Sequence, residues 1–188
     1  LKIAYADPPY IGQAKKHYGC AEIDHAELVA RLCANYDAWA LSLSSPSLHL
    51  ILPMCPTDTR IAAWVKPFAI FKPGVNPGYT WEPVLFRGVR KRPRSAPTVR
   101  DFISCNITLK RGLVGAKPKV FCEWLFDLLA VDIKEDEFFD LYPGSGAVTL
   151  AFEEWRKQKA AEAVDTAHNN ARQVRSALPN SEAELLPC

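Results

Sequence analysis

The sequence predicts an α/β domain with a largely parallel sheet, and three observations support that class. Short apolar runs alternate with segments of helical periodicity. Proline, glycine and other turn residues punctuate the junctions between them. Two unusual loops, ADPPY and LYPGSG, each follow an apolar run directly. Ligands of parallel sheets collect at the carboxyl ends of the strands, so these loops are also the first candidates for a site.

In chain order, KIAYAD reads as a short buried strand. After the HYG turn, IDHAELVARLCANY reads as an amphipathic helix: Ile23, Leu28, Leu32 and Tyr36 recur near helical spacing, and Asp24 is placed to act as N-cap. AWALSLS is a second strand, and LHLILPMC is apolar enough for either helix or strand. TRIAAWVKPFAIFK supplies a third strand around Ala62–Val65 and WEPVLFRGV a fourth, with KPGVNPGYT as the loop between them. Residues 112–116 read as flexible, and KPKVFCEWLFDLLAV as a helix with Val120, Trp124, Leu125 and Leu128 on one side. DEFFDLYPGSG is strand then turn. Residues 147–177, rich in alanine and mixed charge, read as one or two helices before a frayed end at LPNSEAELLPC.

With 48% hydrophobic and 23% charged residues, 188 residues suffice for one globular core, which excludes a disordered or fibrous chain. No apolar run reaches about 18 residues, and LKIAYADPPY lacks a signal-like segment; the expectation is a cytoplasmic protein away from membranes. The chain opens without methionine and enters a strand within two residues, as a fragment truncated at its ends would. Cys20, Cys33, Cys55, Cys105, Cys122 and Cys188 form no C-x-x-C pair, and His17, His25, His49 and His168 show no ligand spacing. Reduced, packed thiols and no metal are expected.

The net charge of +2 conceals an uneven distribution. Arg87, Arg90, Lys91, Arg92, Arg94 and Arg100 crowd one stretch without an acid, and Asp101 alone interrupts it before Lys110, Arg111, Lys117 and Lys119. A solvated basic loop over 87–116 explains this pattern, and so does a surface that contacts phosphates.

Asp7-Pro8-Pro9-Tyr10 is chemically distinctive because consecutive prolines lock their own φ angles, hold Asp7 out of the α region and remove two N–H donors. The product is a stiff, extended corner, which taken alone could be a plain turn. Asp140-Leu141-Tyr142-Pro143-Gly144-Ser145-Gly146 joins an acid at a strand end to a tight turn and an immediate helix, where a ligand can approach bare backbone. Gly144 and Gly146 match the first two glycines of a dinucleotide fingerprint, but Thr149 replaces the third and no Walker lysine follows. Alone, this loop could be a simple strand-to-helix turn.

Together the two motifs resemble those of the S-adenosylmethionine-dependent amino-methyltransferases that modify adenine N6 or cytosine N4. The order, tetrad first and glycine loop last, is similar to the permuted branch of these enzymes and to the adenosine methylases of messenger RNA. Lys117-Pro118 looks like the family's K-P element, and residues 64–88 look like its middle strands, so the resemblance spans roughly residues 2–155. It implies a Rossmann-like sheet with helices on both faces, a catalytic domain over 1–155, and a partly disordered helical tail over 156–188.

The resemblance further implies a division of roles. The Asp7 carboxylate and the Pro8 carbonyl would accept the two hydrogens of the target amine, Pro9 would stiffen the corner, and Tyr10 would stack on the extruded base. Asp140, Tyr142, Gly144, Ser145, Gly146 and Lys117 would bind S-adenosylmethionine, with Asp140 at its ammonium and Lys117 near its carboxylate. Asp at position 7 favours adenine, since S-P-P-Y leans to cytosine N4 and N-P-P-Y to protein glutamine; Cys55 is read as packing. The basic stretch lies where the family carries its target-recognition determinants. Only residues 93–116 intervene before the K-P element, so specificity is short, relaxed or supplied by a partner subunit. DNA is the favoured substrate, with RNA adenine as the alternative. The family's ribose-binding strand has no β-branched counterpart after Trp155; Glu162 and Asp165 are the nearest acids and both fall in expected helix. That gap leaves a catalytically silent nucleic-acid-binding partner of the same fold as a rival.

Overall fold

The computed structural model describes the chain except residues 16–18, 20, 69, 70, 72, 109–115 and 178–188, with side chains of the last helix described through residue 166. The expected frayed end, most of the flexible piece at 112–116, and Lys110 and Arg111 lie outside the described residues.

Six strands form one sheet in the order β5-β3-β4-β2-β1-β6: β1 Lys2–Ala6, β2 Ala38–Ser42, β3 Arg60–Val65, β4 Trp81–Arg87, β5 Phe102–Ser104 and β6 Glu137–Asp140. β1 pairs parallel with β2 and β6, β3 pairs parallel with β5, and β4 runs antiparallel to both β2 and β3. The parallel strands therefore all end on one edge, where the reversed β4 begins. The helices are α1 His25–Asn35, α2 Leu48–Ile51, α3 Lys119–Leu128 and α4 Ala147–Ala177.

Side-chain alternation divides the core into two layers. Ile3, Tyr5, Ala38, Ala40, Ala62, Trp64, Val84 and Phe86 face one side, against Phe121, Leu125 and Phe126 of α3 and Phe152 and Trp155 of α4. Ala4, Ala6, Trp39, Leu41 and Leu85 face the other, against Leu28, Val29 and Leu32 of α1. Strands covered on both faces read as unbroken apolar runs, which is why KIAYA and AWALS were legible as strands. The Asp24 carboxylate accepts from the Glu27 N–H at 3.0 Å, the N-cap expected of α1.

Several details differ from expectation. The basic stretch 87–116 is not one loop: Phe102–Ser104 forms edge strand β5, too short to show a periodicity. LHLILPMC is helical: α2 is flanked by 3-10 turns at Ser45–Ser47 and Leu52–Met54, with a proline early in each turn. In α3, Val120 is exposed, and the buried set is Phe121, Cys122, Trp124, Leu125, Phe126 and Leu128. The tail is a single helix, α4, which runs unbroken past Trp155 to Ala177. No described helix is long and apolar enough to cross a membrane.

Gly88, just past β4, has φ +79°, and a Cβ there would overlap the Asp37 carbonyl and the Ala38 Cα. Gly88→Ala is expected to destabilise the fold by roughly 2–4 kcal/mol, the sum of a left-handed backbone and an overpacked contact. Urea unfolding checks this; a midpoint equal to wild type would contradict the packing described.

Candidate active site

At the carboxyl edge, β1 runs out into Asp7-Pro8-Pro9-Tyr10. Its neighbour β6 ends at Asp140, and the ladder pairs Tyr5 with Asp140. The two motif loops thus stand side by side, with Asp7 two residues beyond that pair. Alternation sends Tyr5, Asp7 and Asp140 to the α3–α4 side.

Lys117 closes the site from that side. It lies just before the Pro118 N-cap of α3 and is 7% exposed, with its ammonium 2.9 Å from each oxygen of Asp7 and 3.5 Å from Glu82 Oε2. The rings of Trp64, Tyr10 and Phe121 surround it at 5.4, 5.9 and 5.9 Å from their centroids. Glu82 also accepts from Lys66 at 2.6 Å and from the Tyr10 hydroxyl at 2.8 Å. Beneath them the Tyr5 hydroxyl shares a 2.8 Å hydrogen bond with Ser42.

Burial works against the charge of Lys117, but Asp7, Tyr5 and Glu82 outweigh it and hold the ammonium well above its ordinary pKa. For Asp7 burial dominates and raises the carboxyl; Lys117 opposes this, while Glu82 and Asp140 add to it. Burial also acts on Glu82, yet Lys117, Lys66 and Tyr10 together hold it below the ordinary value.

A cleft of about 660 Å³ opens over this network. Asp7, Pro8, Tyr10, Glu82 and Lys117 line it, together with the aromatic residues Trp64, Phe71, Tyr79 and Trp81. Trp64 is fixed by a 2.9 Å hydrogen bond from its indole N–H to the Cys105 carbonyl. A cleft lined by aromatic side chains together with a few charged groups suits a ligand that has both an apolar face and polar atoms.

The glycine loop has its own geometry. Gly144 and Gly146 have φ of +48° and +75°, and the Gly146 N–H donates to the Pro143 carbonyl in a tight turn that leads into α4. Asp140 Oδ2 accepts from the Thr149 hydroxyl at 3.0 Å, while Oδ1 is buried with no hydrogen-bond partner among the described residues. Burial raises the Asp140 carboxyl, against Thr149 and the nearby backbone N–H groups of Tyr142 and Thr149. A buried acceptor in that condition is suited to a cationic donor.

The structure brings the tetrad, Lys117 and the Asp140 loop together, with Lys117 seated on Asp7. It does not bring the basic stretch to the cleft. Arg87 lies at the far end of β4, five residues from Glu82 and so roughly 17 Å away, and it pairs with Asp58 at 2.7 Å. Arg90 sits at the opposite edge of the sheet, 2.7 Å from Asp136 and 3.4 Å from Asp132. Lys91, Arg92, Arg94 and Arg100 are exposed. Sequence reasoning missed Glu82 and Lys66, although one indication existed: Glu82, Val84 and Phe86 share a face, so WEPVLF carries an acid on its buried side.

No protein-family model and no curated protein sequence matches the chain. Among solved structures, the crystal structure of the M1.HpyAVI–SAM complex matches with a TM-score of 0.56 at 16% identity, over 83% of this chain and 78% of that one. The crystal structure of M1.HpyAVI matches with a TM-score of 0.55 at 14% identity, over 83% and 76%. The Rossmann-like sheet with helices on both faces, expected from the motifs, is thus the fold of this chain.

Arg90→Ala is expected to lower stability by about 1–3 kcal/mol, because it strips an ion partner from the fully buried Asp136 carboxylate. Thermal unfolding measures the loss, and a melting temperature equal to wild type would contradict the structural role of Arg90.

Proposed function

We propose that this chain is an S-adenosylmethionine-dependent methyltransferase acting on an exocyclic amine of nucleic acid, the N6 of adenine, with DNA the favoured substrate. One observation carries the reading: a half-buried carboxylate, Asp7, stands at a strand end on a two-proline corner, lines a cleft with aromatic side chains and lies beside a second, glycine-rich loop. M1.HpyAVI, which shares the fold, was solved with SAM.

The residues present fit that cofactor. The unpartnered Asp140 oxygen is suited to the amino group of its methionine part, and the Gly144–Gly146 turn lets a ligand approach backbone closely. Glu162 and Asp165 are exposed on α4, and neither is offered as the ribose ligand. S-adenosylmethionine supplies an electrophilic methyl group.

The chain's own residues prepare the amine. An exocyclic amine conjugated to a purine is planar and a poor nucleophile. Asp7 accepts one N–H and the Pro8 carbonyl the other, which favours the pyramidal form whose lone pair can attack. Pro8 and Pro9 hold that carbonyl with little entropy left to lose. Tyr10 and Trp81, which line the cleft, supply rings against which an extruded base can stack. Among the basic residues, Lys91, Arg92, Arg94 and Arg100 are the remaining exposed phosphate contacts, and a partner subunit would supply any longer-range specificity.

The test is nucleoside mass spectrometry of unmethylated DNA and of RNA, each incubated with the protein and S-adenosylmethionine. N6-methyladenine is expected in the DNA pool; its appearance only in RNA would move the substrate, and its absence from both while cofactor binds would point to a silent fold member. Asp7→Ala is expected to abolish transfer, a loss of at least about 10³-fold, while cofactor affinity measured by calorimetry is preserved. Asp140→Asn is expected to reverse that pattern and weaken cofactor binding about tenfold or more, with binding unchanged counting against the assignment.

A further inference from the structure

We infer that Glu82 is a positioning residue of this site: from β4 it draws the Lys117 ammonium and the Tyr10 hydroxyl toward itself, and so keeps the Asp7 carboxylate available to an incoming amine. The inference rests on the reading of Asp7 as the amine acceptor.

Its basis is a competition for one ammonium. Both oxygens of Asp7 lie 2.9 Å from Lys117 Nζ. A carboxylate held on both oxygens by a lysine has lone pairs engaged and is a weaker acceptor for a further N–H. Glu82 Oε2, 3.5 Å from the same nitrogen, is the alternative partner. A shift of a few tenths of an ångström toward Glu82 transfers the lysine's charge without exposing it, since the Trp64, Tyr10 and Phe121 rings still enclose it.

Glu82 is itself firmly held. Its side chain is 15% exposed and bonds Lys66 at 2.6 Å through Oε1 and Tyr10 at 2.8 Å through Oε2. It therefore ties together the end of β3, the start of β4, the tetrad loop and the segment before α3. Among the described residues, the titratable groups that act on or feel Asp7 are Tyr5 from β1, Lys117 just before α3, Cys122 from α3, Glu82 from β4 and Asp140 from β6. Among them Glu82 and Asp140 raise the Asp7 carboxyl and Lys117 lowers it.

Glu82→Gln keeps the volume and an acceptor for Tyr10 but removes the charge. The sign follows: Lys117 settles wholly on Asp7, a like charge is lost, and Asp7 titrates at lower pH than in wild type. The first readout is the pH titration of the Asp7 carboxyl 13C resonance in the ligand-free protein, assigned with Asp7→Asn. A downward shift of about half a unit or more is expected in Glu82→Gln, and a return toward wild type in Glu82→Asp. An unchanged titration overturns the inference.

The second readout is methyl transfer to an adenine-containing oligonucleotide. Glu82→Gln should lower kcat about tenfold with KM for S-adenosylmethionine within about twofold, and should move the acid limb of the rate profile down with Asp7. A residue that only supports the fold would lower the melting temperature and leave that limb in place, which would sink the positioning role. If wild type transfers no methyl group, the reading of the site fails, and the Asp7 titration still decides whether Glu82 controls that carboxyl.

Discussion

The buried ammonium of Lys117 is the constraint on which the architecture of the site depends. An unpaired charge so enclosed would cost several kcal/mol, so the fold must supply counter-charges at fixed distances. It draws one from the tetrad after β1 and another from the start of β4. Breaking such a pair on one side leaves the other charge stranded, which makes the geometry of Asp7, Glu82 and Lys117 a single unit rather than three independent contacts.

The reversed strand makes that unit possible. Because β4 alone among the described strands runs against its neighbours, its first residues reach the edge where the parallel strands finish. An acid at the start of β4 is thereby delivered to the same place as residues that follow β1 and β3. Had β4 been parallel, Glu82 would lie at the opposite edge of the sheet, out of reach of Lys66 and Lys117.

Much of the fold is legible because both faces of the sheet are covered: β1 and β2 carry polar residues only at their ends, Lys2 and Ser42, and α1 carries its own cap. β5 was illegible because three residues, set among basic neighbours, take their strand character from pairing with β3 and from nothing local. Val120 was misassigned because α3 turns a broad face inward and the exact helix start sets the phase. The two loops could be read as a pair from their residues, yet the seating of Lys117 on Asp7 is a long-range contact that spacing alone does not encode.

Counting charges along the chain misjudges the surface in one direction. Lys66 and Lys117 are enclosed with carboxylates, and Arg87 and Arg90 are engaged with Asp58 and Asp136, so none of the four offers an unpaired charge to a phosphate. The far end of β4 is also about 17 Å from Glu82, roughly twice the Debye length of ~8 Å at physiological salt. Cations anchored there cannot stabilise charge within the cleft and act on a ligand only where they touch it. Under the proposed function, recognition of a target flank and activation of the amine are therefore physically separate tasks. The second is concentrated in a network whose two cations and two carboxylates balance internally.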